Sequence, residues 1–354
     1  MNGSSLKILM TSYYLPSESK IGVGYQVHAL ANALVARGHH VTVATPCAPS
    51  EGALYETLTV EVPGPARTFR WAFALRRLDM SSFDVLHAHG DDYWLWRRRV
   101  PVHVRTMHGS CLAEALKVPG AFEKLRMLLL GLGELLATLV ADRTVAVSRN
   151  TLRWMPWVRE VIPNGVDLTR FAATSTPRAA QPTILFVGTY ANRKRGKLLM
   201  DVFAREIQPA IPTARLWMVC TDAPPAPGVE VLGRLTDQAL TERYQQAWVF
   251  CLPSSYEGFG IPYVEALAAG LPVVATQNPG AREVLQDGAF GDLVPDEELG
   301  ATLIRHLSHG FQGTSPAADR HAQGYDLAVV AERYEQVYAQ VAARRMNPGV
   351  RSDN

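Results

Sequence analysis

Short runs of apolar and β-branched residues alternate along this chain with longer segments of helical periodicity, a pattern typical of βαβ units in a parallel sheet. The first strand is predicted at 7–10, and a helix follows at 26–37, where Gly38 provides a C′ residue. The same pattern predicts strands at 41–44, 85–87, 103–106 and 144–147, and a helix at 121–139. These elements complete one α/β domain.

The pattern then restarts after a segment, AATSTPRAAQP, that has the composition of a linker. A chain of 354 residues also exceeds the size at which one hydrophobic core usually stops growing. We therefore predict an N-terminal domain at 1–172, a linker at 173–182 and a C-terminal domain at 183–325. A C-terminal helix at 326–346 is predicted to pack back toward the N-terminal domain, and a frayed tail follows at 347–354.

Composition excludes several classes of protein. Charged residues at 19% and hydrophobic residues at 47% exclude a disordered chain. Residues 1–172 hold 19 Lys and Arg against 14 Asp and Glu, an excess too small to indicate a nucleic-acid partner without a binding motif. The longest apolar stretch, 127–140, contains two glycines and a glutamate, so no transmembrane helix is expected. The cysteines lack C-x-x-C spacing and no secretory signal is evident, which predicts a cytoplasmic protein with reduced thiols.

The most informative segment is 251–276, CLPSSYEGFGIPYVEALAAGLPVVAT, where a buried strand, a glycine-rich turn and a helix follow one another. Pro262 near the helix start and Gly270 after its end bracket that helix. The backbone N–H groups of 258–261 therefore lie at a helix N-terminus beyond the carboxyl edge of a parallel sheet. Phosphates and sugars bind at such places in doubly wound folds.

Two carboxylates, Glu257 and Glu265, are eight positions apart in this segment, and we expect both to face one crevice. An alternative for Glu257 is a capping box with Ser254. Glycines at 258 and 260 disfavour a helix that starts at Ser254. Glu265 alone could be an ordinary residue of a first helical turn.

The segment SSYEGFGIPYVEALAAGLPVVAT resembles the donor signature of retaining glycosyltransferase family 4, and further matching motifs extend along nearly the whole chain. The resemblance implies the GT-B fold, an α/β architecture of two Rossmann-like doubly wound domains that face a central cleft. It also implies that Glu265 binds the nucleotide ribose, while Glu257 and the backbone of Phe259, Gly260 and Ile261 contact the transferred sugar and the diphosphate. A carboxylate suits a ribose diol because it can accept two hydroxyl donors.

The loop after the second domain's first strand, FVGTYANRKRGKLL, carries Arg193, Lys194 and Arg195. Basic groups there would neutralise a diphosphate. Family members usually have an arginine directly after the glycine, where this chain has Thr189; Lys194 matches the family lysine, and Arg193 could replace the missing charge. A solvated surface run is the alternative. Leu235 matches the stretch that receives the nucleobase.

On the acceptor side, Gly22 matches the second glycine of a family pair that approaches the donor phosphate, while Ile21 replaces the first. His108 follows a predicted strand, and by the resemblance it contacts the donor sugar. His87 belongs to a His-x-His region, where we favour an architectural role. The remaining acceptor-side candidates are His89, Asp91 and Asp92.

The resemblance implies a same-face mechanism in which the leaving phosphate deprotonates the acceptor, with His108, Glu257 and Lys194 as the catalytic residues. Asp91 and Asp92 together suggest a metal, but enzymes of this plan generally stabilise the diphosphate with basic groups. We expect no required metal and no cofactor beyond the nucleotide-sugar co-substrate.

The predicted activity is transfer of a hexose from a UDP- or GDP-linked sugar to a hydroxyl acceptor, in glycoconjugate, polysaccharide or natural-product biosynthesis. Alternatives are a nucleotide-sugar epimerase or a phosphorylase on the same fold, or a non-catalytic nucleotide-sugar-binding protein. The basic amphipathic stretch 66–78, ARTFRWAFALRRL, could contact a lipid surface. A soluble acceptor is the favoured alternative to that peripheral membrane contact, because the helical face of this stretch is imperfect.

Overall fold

The computed structural model describes residues 5–18, 21–96, 102–116, 118, 120–171 and 176–346. These residues form two compact units. One unit runs to Gly165 and resumes at Leu327, and the other is Val166–Asp326. Each unit contains a parallel β-sheet with helices, which is the doubly wound α/β class that the sequence predicted.

The sheet of the first unit has seven strands in the order β3-β2-β1-β4-β5-β6-β7. Its strands are β1 (Lys7–Thr11), β2 (His40–Thr45), β3 (Glu56–Thr59), β4 (Val85–Ala88), β5 (Val102–Met107), β6 (Arg143–Ala146) and β7 (Glu160–Val161). Its helices are α1 (Gly22–Ala36), α2 (Arg67–Ala74), α3 (Cys111–Ala115), α4 (Ala121–Val140), α5 (Arg149–Leu152) and the C-terminal helix (Leu327–Met346). The register is parallel throughout; for example, Ile8 lies beside both Val41 and Val85.

The sheet of the second unit has six strands in the order β10-β9-β8-β11-β12-β13. Its strands are β8 (Thr183–Val187), β9 (Arg215–Val219), β10 (Val229–Val231), β11 (Val249–Leu252), β12 (Val273–Thr276) and β13 (Asp292–Val294). Its helices are α6 (Gly196–Val202), α7 (Gln208–Ala210), α8 (Asp237–Gln246), α9 (Ile261–Ala268), α10 (Pro279–Val284), α11 (Leu299–Ser308) and α12 (Pro316–Gln323). A single π-helical turn, Phe203–Ile207, joins α6 to α7.

The division between the units lies earlier in the chain than the linker predicted at 173–182. Val166, Leu168 and Phe171 pack into the core of the second unit, because this stretch supplies large apolar side chains that the sheet β8–β13 buries. The helix predicted at 326–346 is the C-terminal helix, and its Val330, Tyr334 and other apolar residues belong to the core of the first unit. The predicted tail at 347–354 lies outside the described residues.

In both sheets the strand order reverses beside the first strand, between β1 and β4 and between β8 and β11. The loops after these paired strands therefore leave the same edge of the sheet side by side. Ligands in doubly wound folds bind at this switch point. Each unit thus places a loop pair where a substrate can bind.

Of the two glycines at the start of α1, the packing of the fold requires glycine only at Gly24 and not at Gly22. A Cβ at Gly24 would lie 3.0 Å from the backbone of Leu15, so α1 can approach the loop after β1 only without a side chain there. A Cβ at Gly22 would meet nothing within 4 Å. The fold itself therefore does not require glycine at position 22, the position predicted to approach a donor phosphate.

Candidate functional site

The pairing of β8 with β11 brings the basic loop beside the glycine-rich turn. Lys194 Nζ lies 2.7 Å from Glu257 Oε1, and Arg193 Nη1 lies 3.1 Å from Glu257 Oε2. Ser254 Oγ donates to Glu257 Oε1 at 2.7 Å. Only 6% of the Glu257 side chain is exposed, against 15% for Lys194 and 55% for Arg193. A buried carboxylate is thus held between two cations at the carboxyl edge of the sheet.

The basic run is not a uniformly solvated surface. Arg193 and Lys194 face Glu257, whereas Arg195 forms an ion pair with Asp296. This division separates the two residues predicted to bind the diphosphate from the third cation.

The loop that carries this run is itself held in place. Asp222 accepts hydrogen bonds from the backbone N–H groups of Tyr190 at 3.0 Å and of Ala191 at 3.4 Å. Thr189, which stands where the family has an arginine, donates its hydroxyl to the Ala191 carbonyl at 2.9 Å. The loop therefore presents Arg193 and Lys194 from an anchored backbone.

Lys194 is the charge that both signature glutamates share. Burial lowers the pKa of Lys194, and the neighbouring Glu257 and Glu265 carboxylates oppose that shift. Burial also raises the pKa of Glu265, whose Oε2 accepts a hydrogen bond from the Tyr244 hydroxyl at 2.9 Å. Glu265 and Lys194 thus attract each other weakly, and a single site for both signature carboxylates stays a prediction.

No helix starts at Ser254, because the turn after β11 is irregular and α9 begins only at Ile261, so the capping-box alternative for Glu257 is wrong. Gly260 has a φ of 99°, and α9 begins at Ile261 with Pro262 as its second residue. The first N–H groups of a helix have no intrahelical acceptor, so this end can bind an anion. Phe259 is buried, and its backbone and that of Gly260 lead directly into the helix start.

The residues that follow β12 hold this turn in place, and they were not predicted from the sequence. Asn278 Nδ2 donates to the Ser254 carbonyl at 3.1 Å, and the Gly280 N–H donates to the Glu257 carbonyl at 3.0 Å. A Cβ at Gly280 would lie 2.5 Å from the Phe259 carbonyl oxygen. The tripeptide Asn-Pro-Gly that starts α10 is the available sequence signal, since asparagine caps the helix and glycine permits the close approach.

Leu235 is half-buried and lies in the loop before α8, next to Thr236, whose side chain caps that helix. Its predicted role toward the nucleobase stays a prediction.

The first unit contains a cavity of about 280 Å³ at its own switch point, beyond the ends of β1, β4 and β5. Tyr14, His89, Asp91, Arg105 and His108 are among the residues that line it. Asp91 has a left-handed backbone with a φ of 62°, and burial raises its pKa to about 7. A carboxyl group with such a pKa that faces a cavity can accept a hydrogen bond from a substrate hydroxyl when it is ionised, or donate one to it when it is protonated.

His108 is held by its neighbours in this cavity. Its Nε2 lies 2.9 Å from His89 Nδ1, and Asn164 forms a side-chain hydrogen bond with it. Burial, together with the nearby Arg105 charge, lowers the pKa of His108 to about 4. The ring is therefore neutral at pH 7 and can act only through hydrogen bonds. His108 lies in the first unit and Lys194 in the second, so their joint action on one substrate stays a prediction.

The architectural interpretation of His87 agrees with its contacts. Its Nε2 lies 2.7 Å from Thr106 Oγ1, and its Nδ1 lies 2.7 Å from the Tyr338 hydroxyl of the C-terminal helix. Burial lowers its pKa to about 3, so the ring stays neutral. His87 ties the sheet to that helix.

The acceptor-side prediction for Asp92 is wrong. The side chain is fully buried and forms an ion pair with Arg105, and His103 Nε2 lies 3.0 Å from its Oδ2. A buried carboxylate that is paired with two strand residues supports the cavity wall instead. Of the aspartate pair, only Asp91 lines the cavity.

The described residues contain neither a membrane-spanning helix nor a cluster of metal ligands. No helix among them is both long and apolar enough to cross a bilayer. No group of three or more His, Cys, Asp and Glu among them could hold a metal ion. The expectation that no metal is required stays a prediction.

Two family models match the two halves of the chain. The family model described as "Glycosyltransferase Family 4" matches residues 21–170, and "Glycosyl transferases group 1" matches residues 181–309. A phosphatidyl-myo-inositol mannosyltransferase of Mycobacterium tuberculosis is 30% identical over 91% of this chain and 93% of its own length.

Two solved structures share the fold. A sucrose-phosphate synthase from Thermosynechococcus elongatus has a TM-score of 0.73 at 20% identity, over 96% of this chain and 99% of that one. Anabaena HepE, in complex with UDP-glucose, has a TM-score of 0.71 at 16% identity, over 95% of this chain and 100% of that one.

Proposed function

The chain belongs to glycosyltransferase family 4 and has the two-domain, Rossmann-like GT-B fold, and from this premise we propose that it is a retaining, nucleotide-sugar-dependent hexosyltransferase. The donor is a UDP- or GDP-linked hexose bound by the second unit. The acceptor is a hydroxyl group bound by the cavity of the first unit. The enzyme requires no metal. Its four cysteines are free, which supports a place in the reducing cytoplasm.

One observation carries the proposal: Lys194 and Arg193 meet Glu257 beside the N-terminus of α9. This arrangement concentrates positive potential at the carboxyl edge of the sheet, where a diphosphate would lie. The cations are already positioned by the carboxylate and by the anchored loop. Preorganised charge of this kind lowers a barrier because it needs no rearrangement during reaction.

The reaction breaks the bond between the sugar C1 and the diphosphate oxygen, so positive charge develops on the sugar and negative charge on the leaving group. Lys194, Arg193 and the N–H groups of 258–261 would stabilise the leaving diphosphate. Glu257 would accept hydrogen bonds from sugar hydroxyls, and Glu265 from the ribose. On the same face, the leaving phosphate takes the acceptor proton as the new C1–oxygen bond forms.

The neutral state of His108 fits a contact to the donor sugar, because an imidazole without charge can donate or accept a hydrogen bond. Asp91, which lines the same cavity, would orient the acceptor hydroxyl. Mannose is the first sugar to test, since the mycobacterial relative is a mannosyltransferase. Glucose is the second, since HepE is solved with UDP-glucose.

Thermal unfolding with UDP, GDP and ADP tests the donor class. A nucleotide present at 100 times its Kd should add about 2.7 kcal/mol of stability. We expect one nucleoside diphosphate to raise the unfolding temperature and Glu265→Ala to abolish that rise. The result against the proposal is an unfolding temperature that none of the three nucleotides moves.

A further inference from the structure

One face of helix α4 is exposed and apolar along its whole length. Seven large side chains on this helix are each at least 40% exposed, from 40% for Leu128 to 79% for Phe122. They are Phe122, Leu125, Leu128, Leu129, Leu132, Leu136 and Leu139, which we name the α4 apolar face. Contiguous apolar patches on this scale mark interaction sites in soluble proteins.

The spacing of these residues places them on one side of the helix. Intervals of three and four residues separate them, while Met127, Leu130 and Ala137 on the other side are buried. Glu134, the one charged residue after Arg126, is directed inward and accepts a hydrogen bond from the Cys111 N–H at 2.9 Å. The exposed side from Met127 to Val140 thus presents no charge to solvent.

An exposed tryptophan flanks this face. Trp157 is 51% exposed, and its indole N–H donates to Thr138 Oγ1 of α4 at 3.0 Å. On the neighbouring helix α2, Phe69 packs against Met127 and Leu130.

Further along the same segment, Phe73 is 47% exposed, and the guanidinium groups of Arg76 and Arg77 lie 5.9 and 5.7 Å from its ring centroid. An exposed tryptophan at an apolar boundary and exposed arginines in the same domain are typical of proteins that contact lipid headgroups.

We propose that the α4 apolar face lies in the interface of an anionic lipid bilayer and seats the first unit on the membrane. A second copy of the chain is a poorer match to this surface. A helix–helix seam uses two apolar positions in each heptad, and Leu128 makes the α4 apolar face wider than that. After Arg126 this face of α4 also has no exposed charge that could fix the register of a partner helix. The exposed Arg76 and Arg77, which follow α2 in the same unit, instead complement anionic headgroups.

This surface differs from the stretch 66–78, which the sequence offered as a possible lipid contact but did not favour. Of the apolar residues in 66–78, Trp71 and Leu75 are buried in the core, so α2 offers lipid little apart from Phe73. Thr68 of α2 and Arg126 of α4 both line the candidate acceptor cavity. An acceptor embedded in the same bilayer could therefore reach that cavity. The membrane proposal does not depend on the proposed reaction.

Sedimentation with vesicles tests the proposal without any substrate. The probe is phosphatidylcholine vesicles with and without phosphatidylglycerol, at low and at high salt. The variant is Leu129→Gln/Leu132→Gln/Leu136→Gln, which keeps helix-forming side chains at exposed positions. Because each leucine is already about half exposed, we expect the partition coefficient to fall by about 100-fold, with the circular dichroism spectrum unchanged.

Leu54→Gln is the control for loss of an exposed leucine outside α4, because Leu54 is 64% exposed in the loop before β3. This variant should bind vesicles like the parent. Arg76→Gln/Arg77→Gln should reduce the preference for phosphatidylglycerol and its salt dependence while some binding remains. Parent protein that stays in the supernatant under every condition would overturn the proposal. A parent dimer that the leucine variant dissociates, without any vesicle binding, would assign the face to a second copy instead.

Discussion

Replacement of Lys194 by alanine should damage both stability and turnover, for separate reasons. The change leaves the Glu257 carboxylate, 6% exposed, with Arg193 and Ser254 as its remaining partners. Removal of one partner from a fully buried pair costs about 3 to 5 kcal/mol. Because two partners remain here, we expect about 2 kcal/mol, a fall of about 4 to 8 °C in Tm for a unit of this size.

The catalytic loss should be larger. Loss of one preorganised cation at the diphosphate should cost about 2 to 4 kcal/mol in kcat/KM, which is about 30- to 1000-fold. Lys197→Ala is the matched control: Lys197 is 65% exposed and pairs with Asp201 one turn away, so its loss should leave kcat/KM and stability nearly unchanged. The assay is nucleoside diphosphate release measured beside urea unfolding.

The double variant Lys194→Ala/Glu257→Gln separates the two effects. Removal of the stranded carboxylate charge should restore part of the stability but none of the turnover. If Lys194→Ala keeps kcat/KM within a few-fold of the parent, the diphosphate role of Lys194 is refuted. A fall in kcat/KM that the double variant restores together with stability would reduce the role to folding.

Three other changes have defined outcomes. Glu265→Ala should weaken nucleotide binding, measured by calorimetry, whereas Glu257→Gln should chiefly lower kcat, measured by steady-state kinetics. Equal losses of affinity in both variants, with turnover intact, would contradict the assignment. Asp91→Asn should stabilise the protein at pH 8 by about 1 to 2 kcal/mol and very little at pH 4. The reason is that a carboxyl group whose pKa is raised to about 7 in the folded state costs stability once the pH rises above its pKa in the unfolded state. An equal change in Tm at both pH values would exclude that pKa shift. EDTA treatment should leave turnover unchanged, and activity that only a divalent cation restores would disprove the metal-free mechanism.

The meeting of Lys194 with Glu257 could be predicted from the sequence for a physical reason. Alternating strands and helices predict a parallel sheet, and the glycine-rich turn together with the basic loop mark strand ends at its carboxyl edge. Which cation of the run faces the carboxylate could not be predicted, because Arg193 and Arg195 have the same chemistry. The αL backbone at Arg195, with a φ of 57°, turns its side chain toward Asp296.

Other features depend on burial, which one sequence does not encode directly. Asp91 and Asp92 are identical neighbours, but successive residues point in different directions, and only Asp92 meets Arg105 in the interior. Strand β3, with the sequence ETLT, was missed because an edge strand that is largely exposed has no hydrophobic alternation. Helix α4 is apolar on nearly every side, so its periodicity could not show which leucines remain outside the core.

The anomeric configuration of the first product, measured by proton NMR during the first turnovers with the nucleotide sugar that the protein binds, tests retaining sugar transfer most directly. We expect one nucleoside diphosphate released for each glycosidic bond formed, and a product with the anomeric configuration of the donor. A product of inverted configuration would contradict the retaining mechanism. An epimerised donor, with no nucleoside diphosphate released, would contradict transfer itself.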